Sequence, residues 1–370
     1  MSKVLKNRIP SLDGLRAISI ILVLVSHSGH WIRTYADVGN LGVRMFFIIS
    51  SYLITGILYR DVTKNRFDLK TFYFKRLMRT FPAFYFFLLV LVPVLIYTGN
   101  FEWSQFWRAP VYLENYHDRA LWSENQWFTG HMWSLAVEEQ FYLLISFLFL
   151  VFNRNRINKR GLTLVLLAVV FIPPVLRLSY IFFPAIPSFL RGSIHRSFET
   201  VADALAVGAL ISIYLDEIKN SKFFQLSKKL IWIAPILILA FLYLNTSHAV
   251  TAIGHGSRFL YNSVGIFVIN ILLGLILIYS ISEIKSNFFL RAMNWKPLML
   301  IGLLSYSIYL WQQPWLFSGL ELPLMMKLCG IFTCSLISYY AVEEPFLRWR
   351  DAIIEKRKSS RIQAEIKEIA

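Results

Sequence analysis

The chain has 370 residues, of which 56% are hydrophobic and only 16% are charged, and its formal net charge is +16. A soluble globular protein is usually about 45–50% apolar and about a quarter charged, so this composition excludes most soluble classes. The 31 Phe, 18 Tyr and 11 Trp residues are typical of a chain that faces lipid. We therefore predict an all-α fold, a polytopic bundle of membrane-spanning helices.

Apolar windows of about 20 residues, the length needed to cross a bilayer, recur along the whole chain. They predict about ten transmembrane helices, over residues 14–29, 40–59, 82–99, 133–152, 161–183, 199–215, 230–246, 259–281, 298–317 and 324–342. Pro82 and Pro297 would open the third and the ninth of these helices. Residues 1–345 would form one transmembrane domain, and residues 346–370 would form a short charged cytoplasmic tail.

Basic residues are distributed unevenly between the two sets of connections. The N-terminal segment, the even-numbered connections and the C-terminal segment contain 28 Lys and Arg residues. The connections on the other side contain only six, namely Arg33, Arg108, Arg119, Arg191, Arg196 and Arg258. Cytoplasmic loops of membrane proteins carry an excess of Lys and Arg. The distribution predicts that both termini are cytoplasmic, and it explains the positive charge without nucleic-acid binding.

Several ionisable and polar side chains fall inside the predicted spans, where they are costly and indicate function by default. With this orientation most of them lie in the outer leaflet. These are His27, Arg44, Glu138, Glu139, Arg177, Glu199, Asp203 and Gln312. They predict a polar cavity in which His27 is the candidate base and Glu138 and Asp203 are the candidate catalytic carboxylates. A single charge near a helix end could instead reach the interface and have no function.

Arg16 and His27 are eleven residues apart in the first predicted helix. Eleven steps of about 100° place both side chains on one face, roughly 16 Å apart along the axis. This spacing predicts a ligand that lies along the helix with its anionic end near the cytoplasm. Arg76 and Arg79, which share a helical face in the basic connection 60–81, could bind lipid phosphate or the phosphates of a cytoplasmic cofactor.

The outer connection 100–132 is long and rich in aromatic residues. Aromatic side chains often form only an interface belt. A loop of this length is uncommon unless it is functional, so a platform for a saccharide acceptor is the alternative interpretation.

Six ordered motifs between residues 11 and 345 carry a resemblance to a known family. They are Arg16-x10-His27, Gly42–Leu53, Arg76-x-x-Arg79 followed by Pro82, Trp133-Ser134-Leu135-x-x-Glu138, Ser305–Pro314 and Glu343-Glu344-Pro345. Together they resemble the acyltransferase-3 family of integral-membrane O-acyltransferases, which includes bacterial enzymes that acetylate O-antigen, exopolysaccharide and other sugars. Two positions depart from the family pattern: Ser51 stands where Gly is usual, and Gln312 or Gln313 replaces a frequent His.

The resemblance implies an acyl-CoA donor, most often acetyl-CoA, and a hydroxyl acceptor on a glycan or lipid-linked saccharide outside the bacterial inner membrane. It implies that the donor is bound by Arg16, Arg76 and Arg79. His27 would act as a general base or carry the acyl group, and Glu138 or Asp203 would orient its ring. The acceptor is expected to contact Arg44, Trp133, Tyr142 and Gln312. No metal ligand set is evident, and membrane lipids are expected partners.

A transporter or flippase for a polar lipid-linked substrate would also place charges inside the membrane. Such folds often contain repeated halves with broken helices at corresponding positions. The sequence shows no such correspondence, so it favours the O-acyltransferase over the transporter.

Overall fold

The computed structural model describes residues 9–29, 36–117, 128–152, 158–183, 194–282, 288–317 and 321–369. Within these ranges the chain forms helices joined by turns and has no β-strand. Arg33, Arg119 and Arg191, which were used to predict the orientation, lie outside the described residues.

Eleven longer helices form the bundle in the part of the chain that the structure describes. They are α1 (Pro10–Ser28), α2 (Val38–Thr63), α3 (Leu69–Tyr97), α4 (Trp133–Phe152), α5 (Lys159–Phe182), α6 (Phe198–Ile213), α7 (Ala234–Tyr243), α8 (Gly256–Ser282), α9 (Lys296–Phe317), α10 (Leu324–Ser338) and α11 (Glu344–Ile369). Shorter helical segments include Trp103–Phe106, Glu114–Tyr116, Gly130–Met132, Leu215–Asn220, Lys222–Leu230, Ser247–Ile253 and Phe288–Met293.

Each predicted span falls on a helix, and the all-helical membrane fold is confirmed. Among the described residues, seven helices are long and apolar enough to cross a membrane, and the bent pair Lys222–Lys229 and Ile231–Tyr243 would be an eighth. Two predicted spans do not meet this criterion. α6 has only 16 residues, and α9 contains buried Ser and Gln side chains that lower its hydropathy. The number of about ten crossings and the cytoplasmic termini therefore stay predictions.

The third helix begins earlier than the sequence predicts. α3 starts at Leu69, so Pro82 lies inside the helix, and Arg76 and Arg79 belong to its N-terminal half. The basic residues ended the apolar window, although the backbone continues as a helix. Proline is tolerated within transmembrane helices because neighbouring groups can satisfy the freed carbonyl. Pro297, in contrast, lies at the second position of α9, as predicted.

Glycines allow close contact at the centre of the bundle, where α1 packs against α9 and α2 packs against α6. A Cβ atom at Gly302 of α9 would overlap the backbone carbonyl of Asp13. A Cβ atom at Gly208 of α6 would overlap the side chain of Ser51 and the carbonyl of Ile48. Small residues at helix crossings let backbones approach in membranes, where apolar side chains gain little by leaving lipid. These contacts determine which faces of the central helices meet.

The C-terminal part of the chain is one long helical segment. α10 continues through a π-helical turn, Tyr339–Glu343, into α11. The boundary predicted at residues 345 and 346 falls inside this continuous helix. The guanidinium of Arg357 lies 5.5 Å from the ring centre of Phe74, so α11 also packs against the start of α3.

Candidate active site

A cavity lies between α1, α2, α3, α4, α9 and the turn that joins α10 to α11. Apolar side chains such as Phe46 and Phe47 form part of its wall. Its polar lining residues are Arg16, Ser50, Arg76, Arg79, Thr80, Tyr112, Ser134, Glu138, Glu139, Ser305, Tyr306, Tyr309, Tyr339 and Glu343. A concave site in which polar groups from several helices converge is typical of ligand binding.

The cavity brings together the three arginines that the sequence singles out as an anion-binding group. Arg16 reaches it from α1, and Arg76 and Arg79 reach it from α3. Nη1 of Arg16 is also 3.3 Å from a carboxylate oxygen of Asp13, one turn earlier on the same helix. The common location agrees with a shared ligand, and the identity of that ligand stays a prediction.

Arg76 is held between two carboxylates. Its Nη2 is 3.5 Å from Oε2 of Glu138, and its Nε is 3.4 Å from Oε1 of Glu139. Its guanidinium lies 4.0 Å from the ring centre of Tyr142, close enough for a cation–π contact. Glu138 also accepts hydrogen bonds from the hydroxyls of Tyr142, at 2.8 Å, and Ser50, at 3.3 Å. α4 therefore orients the guanidinium, and Ser50 of α2 supports it indirectly through Glu138.

His27 contacts α9 from its position near the C-terminal end of α1. Its Nδ1 lies 3.1 Å from Oε1 of Gln312, which is fully buried. An amide oxygen can only accept a hydrogen bond, so in this pairing the proton of the neutral imidazole is on Nδ1. Nε2 then keeps its lone pair and can accept a proton.

Tyr309 connects the cavity to the neighbourhood of His27. It lines the cavity and lies one helical turn before Gln312 on α9. Its hydroxyl donates a hydrogen bond to the carbonyl of His131 at 2.8 Å and lies 2.7 Å from the hydroxyl of Ser134. His27 and Gln312 are not among the cavity-lining residues.

Asp203 is part of a buried cluster that joins α2, α5, α6 and α8. Its Oδ2 is 2.9 Å from Nη1 of Arg177, and its Oδ1 is 3.3 Å from Nη1 of Arg44. Arg44 also donates to Oδ1 of Asn270 at 3.3 Å. The exposed fractions of Arg44, Arg177 and Asp203 are 2%, 0% and 0%. Two cations thus share one carboxylate within the bundle, and the contacts connect four helices.

The structure distributes the predicted site residues over three places. Glu138 and Tyr142 surround Arg76, Asp203 and Arg44 form the buried cluster, and Gln312 contacts His27. Trp133, also predicted to contact the acceptor, packs its ring edge to face against Phe47, with ring centres 6.0 Å apart. The catalytic roles of Glu138 and Asp203 beside His27, and the acceptor contacts of the others, stay predictions.

Sequence reasoning missed the hydroxyls that line the cavity. Ser50, Tyr306 and Tyr309 lie within the segments 42–53 and 305–314, which were used only as family motifs. A signal was therefore present, because each segment places hydroxyls on a transmembrane helix. Tyr112 belongs to the connection 100–132, whose aromatic residues the sequence indicated only as an interface belt or a saccharide platform. Only the tertiary structure brings it to the cavity.

Similarity to known proteins extends over most of the chain. Residues 9–320 match the acyltransferase-3 family, whose description is an acyltransferase domain. The O-acetyltransferase OatA of Staphylococcus aureus is 29% identical over 367 residues, which cover 91% of this chain and 57% of that protein. The peptidoglycan O-acetyltransferase OatA of Listeria monocytogenes is 31% identical over 328 residues, which cover 83% of this chain and 49% of that protein. The chain thus spans about half the length of these relatives. No solved structure matches the chain significantly.

Proposed function

Because the chain belongs to the acyltransferase-3 family and is a multi-pass membrane protein, we propose that it transfers an acetyl group from acetyl-CoA to a hydroxyl of a cell-surface glycan. The observation that carries this proposal is the cavity in which Arg16, Arg76 and Arg79 converge. Arg16 belongs to α1, the helix that also bears His27. The relatives named as O-acetyltransferases, one of them acting on peptidoglycan, support acetyl as the group and peptidoglycan as the acceptor class.

The lining of the cavity suits an acyl-CoA. Guanidinium groups bind phosphate through charge-assisted, forked hydrogen bonds, so Arg16, Arg76 and Arg79 would hold the phosphates of CoA. The hydroxyls of residues such as Ser50 and Ser305 would bind the polar groups along its extended arm. When bound, acetyl-CoA supplies the acyl group as a thioester.

His27 would act as the general base. Its Nδ1–H donates to Gln312, so its Nε2 accepts the proton of the acceptor hydroxyl. The hydroxyl oxygen attacks the carbonyl carbon of the thioester, a C–O bond forms and the C–S bond breaks. The imidazolium of His27 then returns the proton to the departing thiolate, which leaves the imidazole neutral for the next turnover.

The predicted orientation gives the two substrates separate entrances. Arg16 would lie near the cytoplasm, where CoA is made, and His27 would lie roughly 16 Å further along α1 toward the outer side. The donor would enter from the cytoplasm, and the glycan would approach from outside.

Mass spectrometry of the product tests the proposal directly. Purified protein in lipid nanodiscs is incubated with isotopically labelled acetyl-CoA and a defined peptidoglycan fragment, with His27→Ala as the control. We expect one labelled acetyl ester per modified sugar from the wild type and about 10²–10⁴-fold slower labelling by the variant. A folded wild-type protein that binds acetyl-CoA but modifies no glycan would contradict the acceptor class, and one that neither binds nor consumes acetyl-CoA would refute the donor.

A further inference from the structure

Tyr112 lines the cavity although it belongs to the connection between α3 and α4 and not to a helix. Its backbone φ is 56°, in the left-handed region. That region is unfavourable for a residue with a Cβ atom and is especially uncommon for a bulky aromatic one. A conformation of this kind persists only where the surroundings impose it.

Several hydrogen bonds hold the backbone around Tyr112. The side-chain amide of Gln140 donates to the carbonyl of Tyr112 at 3.0 Å. Gln140 and Asn115 also exchange two amide hydrogen bonds, both 3.0 Å long. The hydroxyl of Tyr85 donates to the carbonyl of Pro110 at 3.0 Å. α4 and α3 therefore fix the connection from two sides. The α4 residue that makes the contact, Gln140, directly follows the cavity-lining residue Glu139.

The Tyr112 ring is fixed, but its hydroxyl is not used within the protein. The ring stacks on Phe84 and Phe81, with ring centres 4.5 Å and 5.4 Å apart. The hydroxyl oxygen is buried and makes no hydrogen bond to any of the described residues. Burial raises the pKa of Tyr112 well above its usual value of 10, so the hydroxyl keeps its proton and is a hydrogen-bond donor. Buried phenol hydroxyls normally have a partner.

We propose that Tyr112 is a substrate-binding residue whose hydroxyl donates a hydrogen bond to an oxygen of the acyl donor in the cavity. A ligand that accepts a hydrogen bond from the Tyr112 hydroxyl explains three features together: the strained backbone, the stacked ring and the hydroxyl without a partner among the described residues. The ligand of this hydroxyl is the acyl donor and not the glycan, because Tyr112 shares the cavity with Arg16, Arg76 and Arg79. This inference rests on the proposed function, and it adds a contact from the outer connection to a site otherwise built from helices.

Tyr112→Phe tests the contact, because it removes the hydroxyl and keeps the ring stacking. Tyr116→Phe is the matched control. It lies in the same connection, donates to Glu199 at 2.9 Å and does not line the cavity. We expect Tyr112→Phe to raise the KM for acetyl-CoA by roughly fivefold to tenfold, the effect of one lost hydrogen bond. The KM for the peptidoglycan fragment and the Tm should stay at the wild-type values, and Tyr116→Phe should leave both KM values unchanged.

The possible outcomes separate this inference from the proposed function. A wild type that transfers acetyl normally, with Tyr112→Phe equal to Tyr116→Phe, would overturn the contact and leave the proposed function standing. A raised KM for the glycan alone would also overturn it, because the hydroxyl would then contact the acceptor. If the wild type transfers no acetyl group from acetyl-CoA, the proposed function fails and this inference fails with it.

Discussion

Oε1 of Gln312 lies 3.1 Å from Nδ1 of His27, a contact between residues 285 positions apart in the sequence. Gln312 or Gln313 occupies the position where the acyltransferase-3 family pattern often has a second His. A glutamine amide can hold an imidazole in one tautomer but cannot take up a proton at neutral pH. Of this pair, His27 is therefore the residue that can act as a base, and Gln312 orients it.

The first prediction concerns His27. His27→Ala should lower acetyl transfer by about 10²–10⁴-fold, the usual effect of losing a general base. Binding of acetyl-CoA should be unchanged, because the proposed phosphate ligands line the cavity and His27 does not. The measurement compares product, acetyl-CoA affinity and Tm in one preparation. His255→Ala, at an exposed position, is the control for a histidine without a role. Wild-type product from folded His27→Ala protein would remove His27 from the mechanism.

The second prediction concerns the donor and uses Arg79. Arg79→Gln removes an exposed charge on the cavity lining, and we expect it to weaken acetyl-CoA binding about tenfold, since a charge-assisted contact contributes about 1.5–3 kcal/mol. Lys75→Gln also removes one positive charge from α3, but at a position outside the cavity lining. This variant should bind acetyl-CoA with the wild-type affinity. Equal affinities for the two variants in calorimetry would contradict the donor site.

Arg76 is less suitable for that test because of its two carboxylates. Replacing it would leave Glu138 and Glu139 inside the bundle without their shared cation. Breaking a buried ion pair typically costs about 3–5 kcal/mol of stability. A loss of acetyl-CoA binding in an Arg76 variant would therefore not separate a binding role from a structural one.

The third prediction concerns Asp203 and its two arginines. Asp203→Asn should lower the unfolding free energy by about 3–5 kcal/mol, because it leaves Arg44 and Arg177 uncompensated in a buried cluster. Adding Arg44→Met should restore part of that loss by removing one of the two cations. The measurement is thermal unfolding in detergent, with yield as a second readout. If Asp203→Asn abolishes transfer while Tm is unchanged, Asp203 acts in catalysis, as the sequence alone suggested.

The fourth prediction concerns orientation in the membrane. Cys329 and Cys334 are first replaced by serine, and single cysteines are then placed at the exposed positions of Ser104 and Lys64. The distribution of basic residues predicts that a membrane-impermeant thiol reagent labels the Ser104→Cys protein in intact cells. The Lys64→Cys protein should be labelled only after the cells are opened. Labelling of Lys64→Cys from outside would reverse the orientation and place the proposed donor site on the wrong side.

Features that depend on local periodicity could be predicted from the sequence. Arg16 and His27 lie on one helix, so the rise and rotation per residue are enough to relate them. The ten predicted spans all fall on helices for a similar reason, because apolar length is a property of each segment. The predicted start of the third helix was wrong, because hydropathy shows where a helix enters the lipid and not where its helical backbone begins.

The amino-acid sequence by itself determined an all-helical membrane fold, the family and the set of polar side chains inside the bundle. Only the tertiary structure decided which of these side chains meet. Glu138 and Asp203 were expected beside His27 from their depth, yet Glu138 pairs with Arg76, and Asp203 pairs with Arg44 and Arg177. Depth along a helix follows from residue number, whereas the direction in which a side chain points across the bundle depends on how helices rotate and pack. That rotation is set by contacts between distant segments, such as Gly302 against Asp13 and Gly208 against Ile48, which no local pattern encodes.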